Sequence, residues 1–180
     1  ERIIKSMCLQ VDYIIKYVGD GEEKMEITAT SDFWRGLNSS SILEPVVRLY
    51  NVTQEKKYLD FAMHIVNCGG TDVESLFELA YEDNLYPYQY PMTKAYEMIS
   101  CFEGLLEYYR ATGEEKYKIA VINFADKLLE TEISIIGSSG CTHELFDNTA
   151  VRQANTTNGP SQETCVTVTL MKFMYQLTLL

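Results

Sequence analysis

The sequence predicts an all-α fold, a toroid built from repeated antiparallel helical hairpins. Three observations support this prediction. A hairpin-length segment occurs twice, and hydrophobic residues in both copies follow helical spacing. A single hairpin also cannot bury both of its faces, so it must stack on neighbouring hairpins, in an open solenoid or a closed ring.

The repeat aligns the segment that begins at Ser41 with the segment that begins at Ser100. The hydrophobic positions of the two copies correspond without a gap. Several polar and aromatic positions are identical: Ser41/Ser100, Glu44/Glu103, Tyr50/Tyr109, Thr53/Thr112, Glu55/Glu114, Lys57/Lys116 and Tyr58/Tyr117. We expect Glu44 and Glu103 each to open a helix, where a carboxylate interacts favourably with unpaired N–H groups.

The first half of the chain contains three predicted helices. The apolar spacing of Ile3–Tyr17 indicates a helix before the repeat. The first copy then forms a helix over 42–50 and a break over 51–54, in which Thr53 caps the next helix. A second helix follows from Tyr58, and it ends before Gly69, because glycine permits the positive φ of a helix C-cap.

The second half repeats this hairpin and then changes character. Thr112 and Gly113 make the turn of the second copy, and its second helix continues to Leu128. Residues 137–160 are rich in Asn, Thr, Ser and Gly, which predicts a long loop of the kind that is often functional. The last segment, 166–180, alternates like a strand over its first four residues, but its continuous apolar run favours a buried helix.

Composition narrows the possible classes of protein. The 180 residues are 46% hydrophobic, which allows a sizeable core, and the net charge is −11. A chain this acidic lacks the basic surface that nucleic acids and anionic membranes require, so neither is expected as a partner. No stretch of these residues is long and apolar enough to predict a transmembrane span, and the first residues do not have the pattern that predicts a signal peptide. The five cysteines are an odd number without framework spacing, which favours free thiols.

Both ends of the sequence fall within apolar periodic runs. Glu1 opens the chain without an N-cap, and Leu180 closes it inside the last predicted helix. We therefore expect residues 1–180 to form one partial domain, truncated at both ends.

Candidate catalytic groups are few and concentrated in the second half of the chain. His143 and Glu144 lie together in the long loop, shortly before Glu163 and Cys165. Residues two apart on a helix point to different sides, so Glu163 and Cys165 converge only at an irregular helix start. A thiol there is a ready metal ligand or nucleophile. Alternatively, Glu163 complements the helix dipole and Cys165 packs as a small apolar residue.

The remaining candidates each have two interpretations. Glu144 is either the carboxylic acid that glycoside hydrolysis needs or a solvated loop residue. The rings of Trp34 and Tyr88 either stack on sugar faces or anchor their loops. For His64, which lies on a predicted helix of the first hairpin, an ordinary core or surface role is favoured over a catalytic one.

Four segments resemble glycoside hydrolase family 127 and its relatives, the β-L-arabinofuranosidase type. They are Trp34–Tyr50, Lys57–Ala62, Ser100–Gly113 and Glu163–Cys165. The resemblance implies an (α/α)6 catalytic barrel and a retaining, exo-acting hydrolase. It also implies a carbohydrate substrate, a zinc-bound cysteine thiolate as nucleophile and a glutamate as acid/base. The source that it suggests is a bacterial degrader of plant glycans, either cytoplasmic or periplasmic.

Individual roles follow from the same resemblance. Glu163 and Cys165 correspond to a Glu-x-Cys pair of zinc ligands, and Glu144, in His-Glu-Leu-Phe, corresponds to the acid/base glutamate. The loop between them is a few residues longer than in the best-known members. His143, Trp34 and Tyr88 are predicted to contact the sugar. The implied nucleophile belongs to a cysteine pair that lies beyond the last residue of this sequence, so residues 1–180 alone are expected to be inactive.

Two other functions remain open from the sequence. One is a non-catalytic helical-repeat module that binds glycan or protein on its concave face. The other is a different toroidal carbohydrate enzyme, such as an unsaturated-uronide hydrolase or a lyase, which needs no zinc.

Overall fold

The computed structural model describes residues 1–140, 142–154 and 163–180. Part of the predicted long loop, residues 155–162, and Cys141 lie outside this description. The helices are α1 (Arg2–Tyr17), α2 (Leu37–Ser40), α3 (Leu43–Thr53), α4 (Lys56–Asn67), α5 (Leu76–Glu82), α6 (Ala95–Thr112), α7 (Glu115–Thr131), α8 (Thr149–Arg152) and α9 (Thr164–Leu177). The described ranges contain isolated β-bridges but no strand, which confirms the predicted all-α class.

The two predicted hairpins are α3–α4 and α6–α7. Their turns are equivalent, because Gln54 and Gly113 occupy the same repeat position and both adopt the left-handed conformation, with φ of 59° and 75°. Thr53 and Thr112 end the first helix of each hairpin. Thr53 lies two residues before Glu55, the N-cap of α4, so it does not cap that helix as predicted. The Thr53 and Thr112 hydroxyls accept N–H bonds from residues 55 and 114, directly before the second helices.

The first helices of successive hairpins lie side by side. α3 packs against α6, and α6 packs against α9, so these three helices form one wall of a helical toroid. Aromatic rings pack between this wall and α7. Phe102 of α6 stacks on Phe124 of α7 at 3.7 Å between centroids, and Phe124 contacts Phe173 of α9 at 5.9 Å.

The structure departs from the sequence prediction at several helices, and the short helix α8 lies within the predicted long loop. α5 was not predicted; its cap is the Ser75 hydroxyl, which accepts the N–H of Glu78. The prediction that Glu103 opens a helix is wrong, although Glu44 does lie in the first turn of α3. α6 begins at Ala95, two turns before Glu103, because α6 continues without the break that separates α2 from α3.

Across the part of the chain described above, no helix combines the length and the apolar character needed to cross a lipid bilayer.

Gly104 allows α3 and α6 to approach closely. A Cβ at this position would lie 2.5 Å from the Leu43 Cβ and 2.8 Å from the Glu44 backbone nitrogen. Helix propensity alone favours Gly→Ala by about 1 kcal/mol, but steric overlap of this kind costs about 1–3 kcal/mol. We expect Gly104→Ala to lower the free energy of unfolding of the full-length protein, measured by denaturant titration.

The partner residue supplies the control for this prediction. Leu43→Ala removes part of the side chain that a Cβ on Gly104 would meet, so it should cost less in the Gly104→Ala background than in the wild type. A Gly104→Ala protein that is as stable as the wild type would contradict the close helix packing.

Candidate functional site

Glu144, Glu163 and Cys165 lie together. One carboxylate oxygen from each glutamate and the Cys165 Sγ all lie within 4.8 Å of one another. We call these three residues the Glu–Glu–Cys cluster. Cys165 and Glu144 are half-buried and Glu163 is exposed, so the cluster is open to solvent on one side.

The start of α9 supplies two members of the cluster. The helix begins at Thr164 with Glu163 as its N-cap, so both Glu163 and Cys165 lie at the irregular helix start that their spacing requires. The Glu163 side chain makes no capping hydrogen bond to the N–H groups of this first turn. The unpaired N–H groups of the first turn make it a favourable place for anionic ligands.

A strained turn supplies the third member. His143 and Glu144 both adopt left-handed backbone conformations, with φ of 52° and 61°, which is uncommon for residues other than glycine. Hydrogen bonds fix this turn against the start of α6. Ala95 N–H donates to the Glu144 carbonyl and Phe146 N–H donates to the Thr93 carbonyl, both at 2.8 Å. The N-terminal ends of α6 and α9 therefore meet at the site.

Two buried groups anchor the loop that follows the turn. The ring of Phe146 is 1% exposed and packs edge-on against Phe124 in the core. Glu132 is fully buried and accepts the N–H groups of Asn148 and Thr149, at 2.9 and 3.1 Å. Burial raises the pKa of Glu132 to about 6, although these N–H bonds favour its ionised form. These anchors explain how an irregular loop presents Glu144 in a fixed position.

Lys94 is the cation of the site. Its side chain is 9% exposed, and its ammonium is paired with the Glu144 carboxylate. The same ammonium lies 5.2 Å from the centroid of the Trp34 ring, which is a cation–π distance. Lys94 therefore lies between the Trp34 ring and the Glu–Glu–Cys cluster and contacts both.

Trp34 owes its position to an unusual backbone. Trp34 and Arg35 both have φ of 55°, and they are followed by Gly36 at 83°. A Cβ on Gly36 would lie 2.4 Å from the Thr28 carbonyl oxygen, so only glycine fits there. Such strain persists only where the surroundings impose it, and it clusters at functional sites.

Sequence reasoning missed Lys94, although a signal was present. Lys94 is the N-cap of α6, and a cation at that end of a helix opposes the helix dipole. A residue that breaks a local rule is expected to have a compensating partner or a function. Here the compensating partner is Glu144.

The other predicted contacts with sugar are placed differently. His143 is exposed beside the Glu–Glu–Cys cluster but is not a member of it. Tyr88 stacks on Tyr86 at 5.7 Å, and the Tyr86 hydroxyl donates to Glu130 of α7. These are the contacts of a loop anchor. Sugar binding by His143 and Tyr88 stays a prediction.

His64 has the contacts of a core residue. It is 2% exposed, its Nε2 accepts the N–H of Ile27 at 3.1 Å, and its Nδ1 lies 2.7 Å from an Asp20 oxygen. Both ring nitrogens are thus satisfied, in agreement with the role that the sequence favours. The cysteines that the structure describes, Cys8, Cys68, Cys101 and Cys165, are free thiols.

The donor set of the Glu–Glu–Cys cluster fits a zinc ion. Zinc accepts thiolate and carboxylate ligands at about 2.0–2.3 Å in a tetrahedral arrangement, so donor atoms within 4.8 Å of one another need only small side-chain shifts to share one ion. Lys94 distinguishes the two glutamates, because it pairs with Glu144 and leaves Glu163 and Cys165 available as ligands.

Comparison with protein families gives a match that extends over almost the whole sequence. The family model described as the β-L-arabinofuranosidase, GH127 catalytic domain, matches residues 2–180. Searches of curated proteins and of solved structures give no significant match. The family is one of glycoside hydrolases, which act on carbohydrate. A match over nearly every residue shows that the chain belongs to the GH127 β-L-arabinofuranosidase catalytic-domain family.

Proposed function

We propose that this chain forms part of a retaining glycoside hydrolase that releases terminal β-L-arabinofuranose, or a closely related sugar, from plant-type glycans. The observation that supports the proposal is the Glu–Glu–Cys cluster. Its donor atoms come from two separate segments, around residues 144 and 163–165, and lie within 4.8 Å of one another. Family membership supports the reaction class, and the cluster supports the roles proposed below for Glu144, Glu163 and Cys165.

Glu144 is the proposed acid/base. Hydrolysis of a glycosidic bond with retention needs a carboxyl group that protonates the leaving oxygen and then activates water. The Glu144 side chain is 30% exposed, so it is accessible to substrate while its backbone is held against α6. The ammonium of Lys94 pairs with the Glu144 carboxylate and holds it in one orientation.

Glu163 and Cys165 are the proposed zinc ligands. Zinc, when bound, favours the thiolate form of a coordinating cysteine and thereby supplies a nucleophile at neutral pH. By family resemblance, that nucleophile is a cysteine outside residues 1–180. Within this chain, Glu163 and Cys165 would bind and position the ion. The Trp34 ring lies beside the paired Lys94 and Glu144.

The test uses the full-length protein. We expect it to contain about one zinc per chain, measured by mass spectrometry of the metal, and to hydrolyse an aryl β-L-arabinofuranoside. Removal of zinc with a chelator should abolish the activity, and added zinc should restore it.

A different experimental result would contradict each part of the proposal. A zinc-free protein with full activity would overturn the metal assignment. A zinc-loaded protein that binds glycan without hydrolysing any arabinofuranoside would favour a binding module. Release of unsaturated uronic acid without zinc would favour the other class of toroidal enzyme.

A further inference from the structure

A second polar region lies beside the Glu–Glu–Cys cluster, on the wall formed by α3, α6 and α9. It is a cavity of about 680 Å³, and Cys165 lines one part of it. Glu44, Glu103 and Lys172 line another part, with Lys172 seven residues, or about 10 Å, further along α9 than Cys165. Cavities of this size and polarity are typical of small-molecule sites.

One cation serves two carboxylates in this cavity. The Lys172 ammonium lies 2.5 Å from Glu44 Oε2 and 2.9 Å from Glu103 Oε2. Glu44 also pairs with Arg48 at 2.8 Å. Among the described residues that line the cavity, Lys172 is the only cation. Its charge is already paired with the carboxylates of Glu44 and Glu103.

Glu103 has hydrogen-bonding capacity that the protein does not use. The side chain is only 3% exposed, and its Oε1 has no hydrogen-bond partner within the described residues. Burial raises the pKa of Glu103 to about 7, despite the opposing effect of Lys172. Unpartnered buried carboxylate oxygens are rare, because an unmade hydrogen bond to a charged group is costly. A donor brought by a ligand would remove this cost.

We propose that this cavity binds the hydroxyl groups of a neutral sugar ring, with Glu103 as the principal acceptor and Lys172 as a donor. The proposal rests on the proposed function, since it places the sugar ring on the cavity side of Cys165. It adds a specificity: a uronate carboxylate finds no unpaired cation here and faces two carboxylates, so anionic sugars are excluded.

The network supplies a matched control on the same helix. Glu107 lies one turn after Glu103 on α6, is also nearly buried, and pairs with Arg48 at 3.5 Å and Arg110 at 2.5 Å. It does not line the cavity. Glu107→Gln therefore removes a buried carboxylate from the same ion-pair network without removing a group from the proposed sugar site.

The experiment measures binding by calorimetry in the full-length protein, with L-arabinose, D-xylose, D-galactose and D-galacturonate as probes. We expect at least one neutral sugar to bind and D-galacturonate to bind at least about tenfold more weakly. Glu103→Met should weaken neutral-sugar binding by about tenfold or more, as expected for a hydrogen bond to a charged group. Glu103→Gln, which retains one acceptor, should have a smaller effect, and Glu107→Gln should stay within about twofold of the wild type.

Folding and metal content are checked for each variant by circular dichroism and zinc analysis. Should Glu103→Met fail to fold, the isosteric Glu103→Gln decides, because the loss of the carboxylate charge should still weaken neutral-sugar binding by about threefold or more. Neutral-sugar binding that is unchanged in a folded Glu103 variant, equal binding of D-galacturonate, or no neutral-sugar binding at all would overturn the proposal. Glu103-dependent binding of D-xylose or D-galactose, in a protein that hydrolyses no arabinofuranoside, would support this site while the arabinofuranosidase proposal fails.

Discussion

Replacing Glu144 by Gln in the full-length protein should lower kcat for a natural arabinofuranoside by about 10²–10⁴-fold. The amide has almost the same shape as the carboxyl group but neither donates nor accepts the catalytic proton. Substrate binding should change little, because the Glu144 backbone is held by its hydrogen bond with Ala95 and by the anchored loop behind it. Steady-state kinetics of the purified variant give both quantities.

The choice of leaving group separates acid catalysis from a general loss of structure. An aryl leaving group with a low pKa needs little protonation, so Glu144→Gln should slow formation of the glycosyl-enzyme much less with an activated aryl arabinofuranoside than with the natural substrate. A merely distorted site would slow both substrates equally.

Asp147→Asn is the matched control for this variant. Asp147 lies in the same loop, and its side chain is nearly buried, but it is not a member of the Glu–Glu–Cys cluster. We expect its activity to stay within about threefold of the wild type, as for a change outside the reacting groups. Glu144→Gln with wild-type kcat on the natural substrate would remove Glu144 from the mechanism.

The helical hairpins could be predicted because three separate features of the sequence agree with one another. The aligned copies, their helical spacing and their turn residues all indicate the same pair of helices, and Gln54 and Gly113 adopt the predicted kind of turn at equivalent positions. Consistency of this kind marks a sequence that specifies one structure. The repeat does not reveal the beginning of α6. Its first copy begins at Ser41, at the break between α2 and α3, and α6 has no break at the equivalent position.

The site was only partly predictable, for a different reason. Glu163 and Cys165 can converge only at an irregular helix start, and where a helix begins is a local property of the sequence. Whether Glu144 reaches them depends on two left-handed residues and on hydrogen bonds to the start of α6, which is about 50 residues earlier in the chain. The pairing of Lys94 with Glu144 is equally non-local. A sequence pattern within a single segment cannot predict a contact between residues that are far apart in the chain.

Replacing Cys165 by Ala should remove most of the zinc from the full-length protein. Loss of an outer-shell partner alone typically weakens metal binding by 10–100-fold, so we expect loss of a direct thiolate ligand to weaken it by more than about 100-fold. The zinc content after dialysis at fixed free zinc measures this change. Activity should fall with the metal and return only in part when zinc is added in excess.

Another cysteine of the same wall is the control. Cys101→Ala removes a fully buried thiol from α6, which donates a long hydrogen bond to the Leu37 carbonyl at 3.9 Å. This variant should lose stability through the cavity that it creates but should keep its zinc. Cys165→Ala with wild-type zinc content would overturn the assignment of Cys165 as a ligand.

The metal content of the Glu144 and Cys165 variants, compared directly, assigns the two roles within the Glu–Glu–Cys cluster. Because Lys94 pairs with Glu144, Glu144→Gln should retain zinc while losing catalysis, whereas Cys165→Ala should lose both. A Glu144→Gln protein that also loses its zinc would show that Glu144 is a third ligand. The proton donor would then have to be a different group.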